Sequence, residues 1–230
     1  MTHLMELELK KIKPNQYCFI SIGLILFSII FITISLIDSA ADPTQSKDTF
    51  HNIFLVIGIL LSFLYIIFYG VLVSSIIIKE YNSKTILILF SYPIRKKKVI
   101  IAKLLLISIF IATSMFIGYL CCCGYIVAVD YSFDLLEGSF ESAYILNWFF
   151  KSLATITMCV CLGGLTFSLG MLKKSVAVTI ISSIVFIFIR QVVLSLSLGY
   201  TENLLQTFII VIISFFCVGY TIQHQLDCIE

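Results

Sequence analysis

Lys79–Lys103 reads KEYNSKTILILFSYPIRKKKVIIAK, and the fold turns on which side of a membrane this stretch lies. It opens with a polar turn (Lys79, Glu80, Asn82, Ser83, Lys84) and passes through Thr85 into an apolar segment that ends at Ser91. Pro93 and the basic cluster Arg95–Lys98 follow. Thr85–Ser91 is far shorter than the ~20 apolar residues that cross a hydrocarbon core. It is also too apolar to stay free in water, so it predicts a brief helix pressed on the membrane surface or on a protein partner. Pro93 ends that helix, because it lacks an N–H and its ring clashes with the preceding turn. Arg95–Lys98 then holds the next segment at the cytoplasmic headgroups.

Long apolar runs lie on both sides, Ile53–Ile78 before the stretch and Val99–Val129 within and after it. Four more runs complete the pattern: Tyr17–Ile37, Trp148–Met171, Val176–Leu194 and Leu204–Ile222. The polar segments Asp38–Asn52, Asp130–Asn147, Leu172–Ser175 and Ser195–Asn203 read as loops. The chain is 60% hydrophobic and 12% charged over 230 residues, whereas a soluble domain averages about 45–50% and about 25%. A chain of this length has no interior large enough to hide that apolar excess, so lipid is its solvent. The predicted fold class is an all-α integral membrane protein with six transmembrane helices. Tyr17–Ile37 follows Lys10, Lys11 and Lys13 as a signal peptide would. It exceeds an h-region of about 7–15 residues, and Asp38 stands where a cleavage site needs a small residue, so it reads as a permanent span.

Residues 1–16 form a separate N-terminal segment, with 17–230 as a single six-helix domain. Leu4, Met5 and Leu7 make one face of a short amphipathic interfacial helix, and Glu6, Glu8, Lys10 and Lys11 the other; Pro14 marks its end. Six spans put both termini and the even-numbered connections on one side. That side holds Lys10, Lys11, Lys13, Lys79, Lys84, Arg95–Lys98, Lys103, Lys173 and Lys174; the other holds Lys47, Lys151 and Arg190. Basic loops resist translocation, so both termini are expected in the cytoplasm. The acids Asp38, Asp42, Asp48, Asp130, Asp134, Glu137, Glu141 and Glu202 fall on the outer side and support this weakly.

The order Glu80, Tyr81, a polar pair, Thr85, an apolar helix, Pro93, Arg95, a basic cluster and Lys103, placed after the second of six spans, resembles the permease subunits of the type-2 ABC exporter family. The resemblance covers nearly the whole chain. It implies that residues 79–98 hold a cytoplasmic coupling helix seated in a groove of a separate ATP-binding subunit. The coupling set would be Glu80, Tyr81, Thr85, Leu87, Leu89, Pro93 and Arg95. It also implies a second permease chain, identical or homologous, a bacterial plasma-membrane location, and ATP bound by the partner with no cofactor in this chain. Many family members carry re-entrant helices in the last external loop, and Ser195–Asn203 is too short for a full pair.

Other chemistry is missing from the sequence. No GxxxxGK[ST] is present to cradle nucleotide phosphates, and no HExxH or GxSxG. His3, His51 and His224 are scattered, and the cysteines (Cys18, Cys121–Cys123, Cys159, Cys161, Cys217, Cys228) lack metal-ligand spacing. They read as small apolar packing residues. No catalytic residue, metal site or nucleic-acid partner is expected. Ser and Thr within spans are expected to bond back to their own helix. Arg190, Lys151 and Trp148 are substrate-path candidates at the outer ends of spans; the plain alternative is headgroup contact by snorkelling cations and a belt tryptophan. Gly163, Gly164, Ser168 and Gly170 form a small-residue stripe, either packing within one chain or lying at a dimer boundary.

Three functions follow in order. The first is an ATP-driven exporter subunit; spans rich in Ile, Leu and Phe suit a hydrophobic or amphipathic cargo, such as a peptide toxin, bacteriocin, drug or lipid-linked molecule. The second is a membrane scaffold or sensor partner, and the third an intramembrane enzyme.

Overall fold

The computed structural model describes residues 14–41, 50–82, 96–133, 142–196 and 200–227. Within them the chain is helical, with no strand among the described residues. Helix α1 spans Pro14–Ala41, and α2 Phe50–Val73. A π-helical turn, Ser74–Ile78, leads from α2 into the short α3, Lys79–Asn82. Then come α4, Lys96–Phe133, and α5, Ser142–Lys173. The last two are α6, Val176–Leu196, and α7, Tyr200–Asp227. Stretches long and apolar enough to cross a membrane are Asn15–Asp38, Asn52–Ile78, Lys98–Ser132 and Trp148–Lys173. Helices α6 and α7 carry shorter apolar stretches, Val176–Val192 and Thr207–Gln223.

The helices outrun the apolar runs that announce them. Pro14, expected to mark the end of the N-terminal segment, is the first residue of α1. Proline suits that position because its missing N–H would have no helical partner there. The outer loop expected at Asp130–Asn147 is shorter, since α4 continues to Phe133 and α5 starts at Ser142. Lipid sets where hydropathy ends, but backbone hydrogen bonding carries a helix past that point. Between α6 and α7 only residues 197–199 remain, which leaves no room there for a pair of re-entrant helices. Residues 1–13 of the N-terminal segment lie outside the described residues.

The chain divides into two compact units, one built from Asn15–Leu64 with Thr113–Ile156, the other from Tyr65–Ala112 with Thr157–Glu230. In the first, Ser28 on α1 bonds Cys122 on α4 (Oγ to Sγ 3.3 Å). Trp148 packs on Phe54 and Tyr119, with ring centroids 5.3 and 6.0 Å apart. Along α1, Phe19, Phe27, Ile30, Ile34 and Ile37 face outward, as a lipid-solvated helix requires. In the second unit the core forms around Tyr65, Ile66, Tyr69, Leu72 and Ile78, all buried. The Tyr69 hydroxyl bonds Ser108 Oγ at 2.8 Å, and Gly163 on α5 lies flat against the Tyr69 ring.

Candidate coupling site

The second unit carries both Glu80 and Lys103, near the two ends of the stretch Lys79–Lys103. Ile76, Ile77 and Ile78 are all buried, and three successive residues sweep about 200° of a helix surface. The chain closes that turn with the bond from the Lys79 N–H to the Ser74 carbonyl. This five-residue reach adds a residue to the turn and re-aims everything after it, a local change that often marks functional sites. Ser74 adds a side-chain bond to the Val71 carbonyl at 2.8 Å. On α5, Gly170 makes room for Ile78 and Thr179.

Beyond the π turn, Glu80 projects from α3 and accepts a hydrogen bond and ion pair from Lys103 Nζ on α4. The Lys103 side chain is 5% exposed and that of Glu80 26%. A buried ammonium needs such a partner, since an uncompensated charge away from water is strongly unfavourable. The pair therefore ties the two ends of segment 80–103 together. Glu80 thus has a structural role beside any role toward a partner. Lys103, which the sequence reading named only as an inner-side cation and the last residue of the motif, is the partner of Glu80. The signal was present: a lone cation inside VIIAKLLLI, with Glu80 the acid before it in the sequence. Tyr81 lies on α3, with its side chain outside the described ones, and Thr85, Leu87, Leu89, Pro93 and Arg95 lie outside the described residues. Lys98, near the start of α4, is exposed.

The three outer candidates do not group. Trp148 and Lys151 belong to one unit and Arg190 to the other. Lys151 is exposed and Trp148 half-buried. Arg190 departs from the snorkelling expectation: it is 5% exposed.

Most hydroxyls within the spans bond back as expected, while Ser214 on α7 donates to the Cys161 carbonyl on α5 at 2.7 Å. Thr166, Ser168, Thr179, Ser182 and Ser183 each donate to a carbonyl three or four residues earlier on their own helix. A hydroxyl engaged in this way is not set up as a nucleophile. The described cysteines are all free thiols, and no cluster able to hold a metal occurs among the described residues. The glycine stripe packs within the chain: Gly163 on Tyr69, Gly164 on Ser214 and Val218, Gly170 on Ile78 and Thr179.

Residues 4–190 match the family model described as ABC-2 family transporter protein. The uncharacterized protein YcbO of Bacillus subtilis (strain 168) is 28% identical over 190 residues, covering 81% of this chain and 82% of that one. No solved structure matches the chain significantly. The family match takes in the stretch from Lys79 to Lys103, the ion pair at its root and the apolar helices around it. The chain therefore belongs to the ABC-2 transporter family, as an integral membrane component of an ABC transporter.

Proposed function

We propose that the chain is the permease of an ATP-driven exporter, with residues 79–98 as the surface on which a separate ATP-binding subunit pushes. The observation that carries this reading is the Lys103–Glu80 pair. A segment meant to pass on motion must be fixed at its root, and this pair fixes segment 80–103 to α4 while the buried isoleucine turn fixes it to α2. A push on the segment then reaches Gly170 and Thr179 through Ile78. Thr85, Leu87, Leu89, Pro93 and Arg95 make the docking face, with Tyr81 at its edge. Two permease chains and two ATP-binding subunits form the working complex. In this reading the chain crosses a bacterial plasma membrane six times with both termini in the cytoplasm, and the cargo is a hydrophobic or amphipathic molecule.

The test is capture of a nucleotide-hydrolysing partner from the native membrane by the tagged full chain. Capture is expected with the wild type. It should drop at least tenfold with Leu87→Asp combined with Leu89→Asp, while the thermal unfolding of the chain is unchanged. Equal capture by both forms, or no hydrolase recovered with either, would sink this reading.

A further inference from the structure

Lys103 and Arg190 are the buried charged side chains among the described residues. Glu80 neutralises the first. The second has no such partner: Arg190 Nε is buried without a hydrogen bond, and no described acid forms an ion pair with it. The Cys159 thiol on α5 feels its charge, but a neutral thiol is no counter-ion. A guanidinium keeps its charge wherever a protein places it, so this charge calls for an anion.

The direction of the side chain is set by its helix. Phe188, Ile189 and Val192 are 65%, 49% and 57% exposed, whereas Arg190 is 5% exposed. Arg190 thus turns inward while its neighbours turn to lipid. It continues the buried face that begins at Thr179 and Ser183. That face is shut below Arg190: a Cβ on Gly70 would lie 2.8 Å from Ser183 Oγ, and the Thr179 and Ser183 hydroxyls donate to their own helix. The guanidinium is therefore the unpaired donor at the end of this packed face.

We propose that Arg190 is the binding site for the head group of an anionic amphiphile, a phosphate or carboxylate attached to an apolar tail. Two parallel N–H groups of a guanidinium match two oxygens of either head group. Phe188, Ile189 and Val192, on the opposite side of the same helix, mark the lipid into which the tail extends. The inference rests on the permease reading, since it names the class of molecule the permease would take.

The test uses the full chain in phosphatidylcholine nanodiscs, with no ATP-binding subunit present. The probes are dodecyl phosphate, dodecanoate, zwitterionic dodecylphosphocholine and inorganic phosphate, with binding measured by native mass spectrometry and thermal unfolding. The wild type should bind dodecyl phosphate or dodecanoate at least tenfold tighter than dodecylphosphocholine. Arg190→Gln and Arg190→Met should lose that preference, and Arg190→Lys should keep part of it. Tighter binding of inorganic phosphate than of either anionic amphiphile would overturn the amphiphile assignment. Equal binding of anionic and zwitterionic probes by the wild type would overturn the site. So would an Arg190→Met chain that unfolds well below the wild type without any probe, because a counter-ion inside the chain would then be the cause; relief of an unpaired charge leaves unfolding equal or raised. None of these outcomes depends on a partner ATPase, and the capture experiment needs no amphiphile, so the two readings fail separately.

Discussion

Burial alone does not decide what a charged side chain does; its partner does. Lys103 and Arg190 are 4% and 5% exposed, yet only Lys103 is paired by an acid of the described chain. Breaking a fully buried pair by removing one partner costs roughly 3–5 kcal/mol, and the pair replaced as a whole is close to neutral. The quarter exposure of Glu80 lets water reach the orphaned ammonium, so Glu80→Gln should lower stability by about 2 kcal/mol. Adding Lys103→Met to that change should restore most of the loss, because the second substitution removes the stranded charge. Denaturant unfolding in detergent reads both. A Glu80→Gln chain as stable as the wild type, or a double variant weaker than either single one, would show that the pair does not hold the root of the segment.

Among the elements, close helix approach depends on where a side chain is missing. A Cβ on Gly163 lands on the Tyr69 ring, buried in the core with its hydroxyl on Ser108. The ring has no free space to turn into, so Gly163→Ala should cost about 1–3 kcal/mol by overpacking. Gly124 on α4 meets nothing within 4 Å; Gly124→Ala should be neutral or gain up to ~1 kcal/mol, as alanine favours a helix over glycine. Thermal unfolding of the two variants side by side checks the contrast, and equal effects would contradict it. Sequence alone left Gly163 undecided between packing within the chain and a dimer boundary, because a small residue is the same signal for either. The four long apolar stretches were legible, since about 20 apolar residues in a row have few other uses. The π turn was not: Val73–Ile78 reads VSSIII, and nothing in that composition separates a five-residue reach from a four-residue one. Nor was the inward aim of Arg190, which depends on helix rotation rather than on depth along the span.

For the whole molecule, the long reach of α4 turns the charge argument into a measurable orientation. Its 38 residues extend about 57 Å at the α-helical rise, well beyond a hydrocarbon core of roughly 30 Å. The helix must emerge from the membrane, and its two ends differ: Lys96–Lys98 begins it, while Tyr131, 94% exposed, stands near the other end beside Asp130. The proposed topology holds the cationic end in the cytoplasm and so predicts the other end outside. In a chain whose native cysteines are replaced, Tyr131→Cys should react with a membrane-impermeant maleimide on intact cells. Lys98→Cys, also at an exposed position, should react only after the cells are opened. The reverse pattern would put residues 79–98 outside the cell, beyond the reach of any cytoplasmic ATPase. The pair of Glu80 and Lys103 would then brace a segment with no ATP-binding subunit to push on it, and energy would have to enter the protein elsewhere.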